Sequence, residues 1–426
     1  MEENTTKDIE KETSNGDTST TETQEGDAYS TVSPGPVAGA TSVEGLRLDF
    51  NFGARVQVPE GKWDVRIIDL ESSQVVRSGV FSNEVVTSAA RYYVPWRIEV
   101  RRDGKPVFHH EMNLRGQRVY MKFCSSAMGD NIAWIPYMEE FRKRHGCQVC
   151  VSMHPEVGEM FKGVYPELQF VGPGERPGGF YASYYIGCFF PPEGREFQRS
   201  SWKIAGLQGA IANILGLPQD PIRPDLRPDC PRTIEEPYVC IAAQASAQAK
   251  YWNNPEGWMK TIDWLKTAGY RVLCIDRENC YGRGWRRNPI PWGAEDFTGA
   301  KPLRERLELL AHADFFVGLA SGLSWLAWAA GIPVVLISGF SIPHTEFPTP
   351  YRVINYNTCT GCWEDDRYTF DHKDFYWCPR HAGDEDHQFE CTRKINHVQV
   401  VNTCRRLMED CHLHPKDKNC LPEHKE

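Results

Sequence analysis

The chain has 426 residues, 41% apolar and 12% aromatic, with a formal net charge of −9 at pH 7. That length exceeds the roughly 250–300 residues one hydrophobic core supports, so two or three domains are expected. The acidic balance argues against nucleic acid as a partner, because such binding draws its affinity largely from Lys and Arg neutralising phosphates.

Residues 1–44 read as a disordered tail. The first forty are mostly Thr, Ser, Glu and Gly with few apolar side chains, so they hold neither a signal-peptide core nor an amphipathic transit helix. The expected location is therefore cytoplasmic, and the fifteen cysteines are reduced thiols, some buried and some available for metal.

Residues 45–116 form a small β module. Short alternating runs such as Arg55-Val56-Gln57-Val58 and Trp63-Asp64-Val65-Arg66-Ile67 are separated by Gly, Asp and Asn breaks, which reads as antiparallel strands. Asp103-Gly104 marks a hairpin turn between Trp96–Val100 and Val107–His110.

Residues 117–235 make a first Rossmann-like lobe with a linker. Val119–Phe123 is its opening strand, Ile132, Ile135, Met138 and Phe141 mark a helix face stopped by Gly146, and Gln148–Ser152 is the next strand. The stretch 172–230 is rich in Gly, Pro and Arg and reads as loops, lid and linker around one helix near Trp202–Leu215.

Residues 236–354 make a second Rossmann-like lobe. It opens with the strand Tyr238–Ile241, and Asn254-Pro255 supplies the N-cap and first-turn proline of a helix carrying Trp258, Ile262 and Leu265. A strand at Arg271–Asp276, a helix at Leu303–His312, a strand at Phe315–Val317, a helix at Leu323–Ala330 and a strand at Val334–Ile337 follow. Phe315 to Ser338 carries no charge for 24 residues, which suffices in length for a membrane span. Its glycines, serines and Pro333 instead divide it into strand, helix and strand, so no span is expected. The fold class is thus α/β, with two facing lobes whose strand ends open on a cleft.

Three loops could carry chemistry. Cys124-Ser125-Ser126-Ala127-Met128-Gly129-Asp130 runs from strand into helix, and Asp130 either caps that helix or serves as a general base at the cleft. The run Ala242 to Lys250, containing Ser246, is made mostly of small residues that let backbone amides approach an anion, and Lys250 adds a point charge for a diphosphate; an ordinary surface lysine fits equally. Gly318-Leu319-Ala320-Ser321-Gly322 is a turn suited to phosphate at a helix start, though such turns also serve plain packing.

Residues 355–426 hold a four-cysteine segment and a C-terminal helix. Cys359-x2-Cys362-x15-Cys378-x12-Cys391 has the spacing of a tetrahedral four-thiolate site for structural zinc or a single iron. The intervening residues are charged and aromatic with few aliphatics, so this segment needs a staple. Cys404, Cys411, His412, His414 and Cys420 are irregularly spaced and read as incidental. None of the three loops carries an Asp-x-Asp to hold a catalytic divalent metal, and no such metal is expected.

Together the three loops resemble GT-B heptosyltransferases of lipopolysaccharide core synthesis, whose Gly-Asp loop carries the catalytic carboxylate. That loop corresponds to Gly129-Asp130, and the family's phosphate-binding lysine to Lys250. Its Asn-Asp-Ser-Gly motif is similar to Leu319-Ala320-Ser321-Gly322, with Ala320 in place of the usual Asp. The added β module and cysteine quartet match the TibC-like autotransporter heptosyltransferases, a resemblance that covers nearly everything from Leu46 onward. It implies ADP-glycero-manno-heptose as donor, serines of an autotransporter adhesin passenger domain as acceptor, Asp130 as base, one structural iron (zinc being the alternative) and a homo-oligomer, a dodecamer. The same resemblance implies that 117–235 is the acceptor-side lobe and 236–354 the ADP-sugar-binding lobe, with Ser246, Lys250, Arg306, Gly318, Ser321 and Gly322 as the nucleotide-sugar candidates. A lipopolysaccharide core heptosyltransferase and a non-catalytic GT-B scaffold are the alternatives.

Overall fold

The computed structural model describes residues 30–190, 194–284 and 286–415. Most of the expected tail, and Cys420, lie outside the described residues. The elements in chain order begin with strands β1 (Arg47–Asn51), β2 (Arg55–Val58), β3 (Trp63–Asp69), β4 (Gln74–Phe81), β5 (Glu84–Thr87), β6 (Trp96–Arg102) and β7 (Lys105–Glu111). The turn between β6 and β7 is the expected one: Asp103 and Gly104 both have positive φ, 50° and 73°, as a two-residue hairpin of matching twist requires.

The first lobe contributes β8 (Arg118–Phe123), α1 (Met128–His145), β9 (Gln148–Ser152), α2 (Pro155–Phe161), β10 (Gln169–Val171), β11 (Ala182–Ile186) and α3 (Trp202–Leu215). Its sheet runs in the order β10-β9-β8-β11-β1-β2-β5. The expected module therefore does not stand apart. β1 pairs in parallel with β11, β2 and β5 extend that sheet antiparallel, and only β4-β3-β6-β7 form a separate antiparallel sheet. The loop reading of 172–230 is corrected here as well: β11, all five residues buried, lies in the middle of the lobe's sheet.

The second lobe follows with β12 (Tyr238–Ile241), α4 (Gly257–Ala268), β13 (Arg271–Cys274), the short strands β14 (Cys280–Tyr281), β15 (Asn288–Pro289) and β16 (Glu295–Asp296), then α5 (Leu303–His312), β17 (Phe315–Leu319), α6 (Gly322–Ala329), β18 (Val334–Ile337) and β19 (Arg352–Val353). Its sheet, β16-β13-β12-β17-β18-β19, is parallel throughout, and its central strands are apolar end to end, as burial on both faces demands. Helix α4 starts two residues later than expected: Glu256 precedes it, while the Asn254 side chain accepts from the Glu256 amide in the preceding turn. The segments α7 (Glu390–Arg393) and α8 (His397–Asp410) close the chain. Helix α8 is capped by a reciprocal Asn396–Gln399 box and packs on the second lobe through Val400, Cys404 and Leu407.

The lobes meet where α1 and α6 begin. A Cβ added at Gly129 would lie 3.0 Å from the Trp325 ring and 3.4 Å from the Gly322 Cα, so the absence of a side chain there lets the two loops approach. Among the described residues, no helix is long and apolar enough to cross a membrane.

Candidate functional site

Four loops, each leaving the carboxyl end of a parallel strand, converge on one cavity of about 240 Å³. After β8 come Ala127 to Asp130; after β12, Ala245, Ser246 and Lys250; after β17, Ala320 to Gly322; after β18, Phe340, Ser341 and Glu346. Trp325, Leu207 and Trp363 complete the wall.

Asp130 sits in the first turn of α1, and no side chain caps that helix. The Ser125 hydroxyl donates to Asp130 Oδ2 at 2.6 Å. The loop is held by Asn131, fully buried, whose amide donates to the carbonyls of Ser125 and Ala127 at 2.9 and 2.8 Å and accepts from the His154 amide at 3.1 Å. Burial pushes the Asp130 carboxyl up to about 6, against the opposing pull of the Ser125 hydrogen bond and the Lys250 charge. A carboxylate in that range is a stronger proton acceptor than an ordinary one yet is still mostly ionised at pH 7.

Lys250 does not begin an α-helix. It ends a single 3₁₀ turn, Gln248–Lys250, seven residues before α4. Its ammonium lies over three rings, at 5.2 Å from Phe340, 5.7 Å from Trp363 and 5.8 Å from Phe370. Burial lowers its proton affinity, and Asp130 and Glu346 act in the opposite sense. Aromatic faces stabilise a cation without consuming all its hydrogen-bond donors, so the ammonium keeps donors for an anion.

Ser321 precedes α6, and its Oγ is buried with no hydrogen-bond partner among the described residues. With the unspent amides of the α6 first turn it forms a donor cluster. Two of the nucleotide candidates are not in the cavity. Gly318 lies within β17, where a Cβ would collide with the Phe316 ring; its role is packing. Arg306, 3% exposed on α5, spends its guanidinium on the carbonyls of Ile275, Asp276, Gly299 and Lys301, which ties the β13 end to the loop before α5. Ser125, Asn131, Glu346 and the aromatic box around Lys250 escaped the sequence reading; Ser125, five residues before Asp130, and Asn131, directly after it, were within its local reach.

The described cysteines are all free thiols. In the C-terminal segment, Cys359 and Cys391 share a hydrogen bond with His381 beside Cys359, and the Phe389 amide donates to Cys378 Sγ at 3.5 Å. Cys362 packs with Phe340, Trp377 and Phe389. Among the described residues, no group of three or more His, Cys, Asp or Glu is placed as a closed metal site. The four thiols share one neighbourhood and suit a thiophilic ion by chemistry, but their coordination is not closed.

Two facing α/β lobes, with an acid on one and a caged cation and helix terminus on the other, define a nucleotide-sugar glycosyltransferase. The family described as "Glycosyltransferase family 9 (heptosyltransferase)" matches residues 213–365, and "Glycosyltransferase TibC, N-terminal domain" matches 43–104. The chain is 46% identical over 92% of its length to autotransporter heptosyltransferase BAHTCr of Citrobacter rodentium, covering 95% of that protein. It is 47% identical over 85% of its length to autotransporter heptosyltransferase TibC of Escherichia coli, covering 90% of it. Burkholderia thailandensis BimC, named an inactive autotransporter heptosyltransferase, is 36% identical over 86% of this chain and 87% of its own. Crystal structures of the iron-containing dodecameric TibC, alone and in complex with ADP-D-β-D-heptose, superpose with a TM-score of 0.84 at 44% identity, covering 89% of this chain and all of theirs. The chain belongs to the TibC-like autotransporter heptosyltransferase family and is a glycosyltransferase.

Proposed function

We propose that this enzyme transfers heptose from ADP-glycero-manno-heptose to serine hydroxyls of an autotransporter adhesin passenger domain. The observation that carries this reading is the single cavity holding Asp130 and Lys250 with Ser246, Ser321 and Gly322. Asp130 takes the proton as the serine oxygen attacks the anomeric carbon. The bond from that carbon to the β-phosphate oxygen breaks, and its electron pair leaves with ADP. Lys250, the Ser321 hydroxyl and the α6 amides receive the charge that develops on the departing diphosphate. This division of labour needs no divalent metal at the reacting atoms.

Cys359, Cys362, Cys378 and Cys391 are assigned to one structural metal ion, iron by likeness to TibC, whose crystal structure is that of an iron-containing dodecamer. When bound, that ion supplies cross-linking of a segment poor in aliphatic residues. A dodecamer is the corresponding proposal for assembly.

Intact-mass measurement of an adhesin fragment coexpressed with the enzyme tests the reaction. Increments of whole heptose units located on serine are expected; an unmodified fragment, as an inactive relative would leave, overturns the reading.

A further inference from the structure

The cavity contains a second carboxylate that the transfer step leaves unused. Glu346 lines the same space as Asp130 and Lys250, and its side chain is 5% exposed. Its loop follows β18 of the second lobe and is anchored on the first. His344 Nε2 hydrogen-bonds the Lys203 carbonyl of α3 at 2.8 Å, and Gly206, at φ 76°, lets α3 approach so closely that a Cβ there would collide with the His344 carbonyl. Within the loop, Thr345 Oγ1 donates to the Ile342 carbonyl at 2.8 Å.

The carboxylate is also fixed in orientation. Arg352 Nη1 donates to Oε2 at 2.8 Å and the Ser341 hydroxyl donates to Oε1. An ionised carboxylate offers about four lone-pair positions. Those two donors leave capacity that a ligand in the cavity can use. The ligand group cannot be the diphosphate, since two anions in a partly desolvated space repel. It has to be neutral and rich in donors, which among the parts of a nucleotide sugar means hydroxyl groups. Asp130, which acts at the anomeric carbon, shares this small cavity, so the hydroxyls nearest Glu346 belong to the group being transferred, not to the ribose beyond the diphosphate.

We infer that Glu346 is a specificity-determining residue that accepts hydrogen bonds from hydroxyls of the donor's glycosyl ring, held for that task by Arg352 and Ser341. The inference rests on the donor-site reading above. Its test is calorimetry of the full-length protein with ADP and with ADP-heptose, for wild type, Glu346→Gln and Glu346→Asp. The Asp variant keeps a charge opposite Arg352 while withdrawing the carboxylate, so it remains informative where the Gln variant does not fold. ADP affinity is expected to stay within about twofold, while ADP-heptose binding weakens about 10- to 100-fold, the size of a lost hydrogen bond to a charged group. Equal losses for both ligands, or no loss for either, overturn the assignment of Glu346 alone, provided wild type binds ADP. A wild-type chain that binds no ADP overturns the donor site and this assignment together.

Discussion

Asp130 and Lys250 face one cavity but arrive there by different routes. Asp130 is placed by its own neighbourhood: a strand, a short loop clamped by Asn131, and the start of an 18-residue helix. Lys250 is placed by distant parts of the chain, since Phe340 follows β18 while Trp363 and Phe370 belong to the cysteine-bearing segment more than a hundred residues on. The first lobe thus carries a locally encoded acid, and the second carries a cation whose surroundings depend on the C-terminal segment folding correctly. Damage to that segment should therefore reach the donor half of the site and spare the acid.

The largest effect is expected for Asp130→Asn. Removing a general base should lower transfer by about 10²–10⁴, with ADP affinity unchanged; wild-type turnover in this variant would leave Asp130 only a structural place at the helix start. Lys250→Ala should next weaken ADP binding and slow transfer, by about 10²-fold for a donor to developing phosphate charge. Unchanged ADP affinity by calorimetry would move the diphosphate elsewhere.

Cys362→Ser addresses the comparison directly, because Cys362 packs against Phe340, one of the rings around Lys250. It should reduce metal content below about one ion per chain. Loosening the aromatic box should also cost ADP affinity on the order of 3- to 30-fold, the scale of a partly desolvated cation–π contact. A variant with full metal content, or metal-free protein with normal melting behaviour and ADP binding, would break the link between segment and site.

The smallest effect concerns pH. Burial raises Asp130 to about 6, and the base is its deprotonated form, so activity should fall as pH drops through that value. The Ser125 hydrogen bond opposes the rise, so Ser125→Ala should move the acid limb of kcat/KM to higher pH while leaving the rate on the alkaline plateau nearly unchanged. A limb that stays in place would remove Ser125 from the tuning of this acid.

By itself the sequence determined what acts over a few residues. Apolar runs and periodicity placed β8, β9, α3, β12, α5, β18 and the end of α1 within about a residue, and Asp103-Gly104 marked its hairpin because both positions need positive φ. The approach of Gly-Asp, Lys and Ser-Gly loops to a common cleft was legible because parallel strands present their carboxyl ends on one side. Tertiary structure alone decided which strands pair. β11 was hidden by the Gly and Pro around it and is a strand because β8 and β1 flank it on either side. Arg306 looked available for phosphate until four carbonyls, brought together by folding, took its donors. Glu346 and the rings around Lys250 carry no local pattern at all. Their roles arise from desolvation and from the distant segments that share the cavity, which no window of a few residues contains.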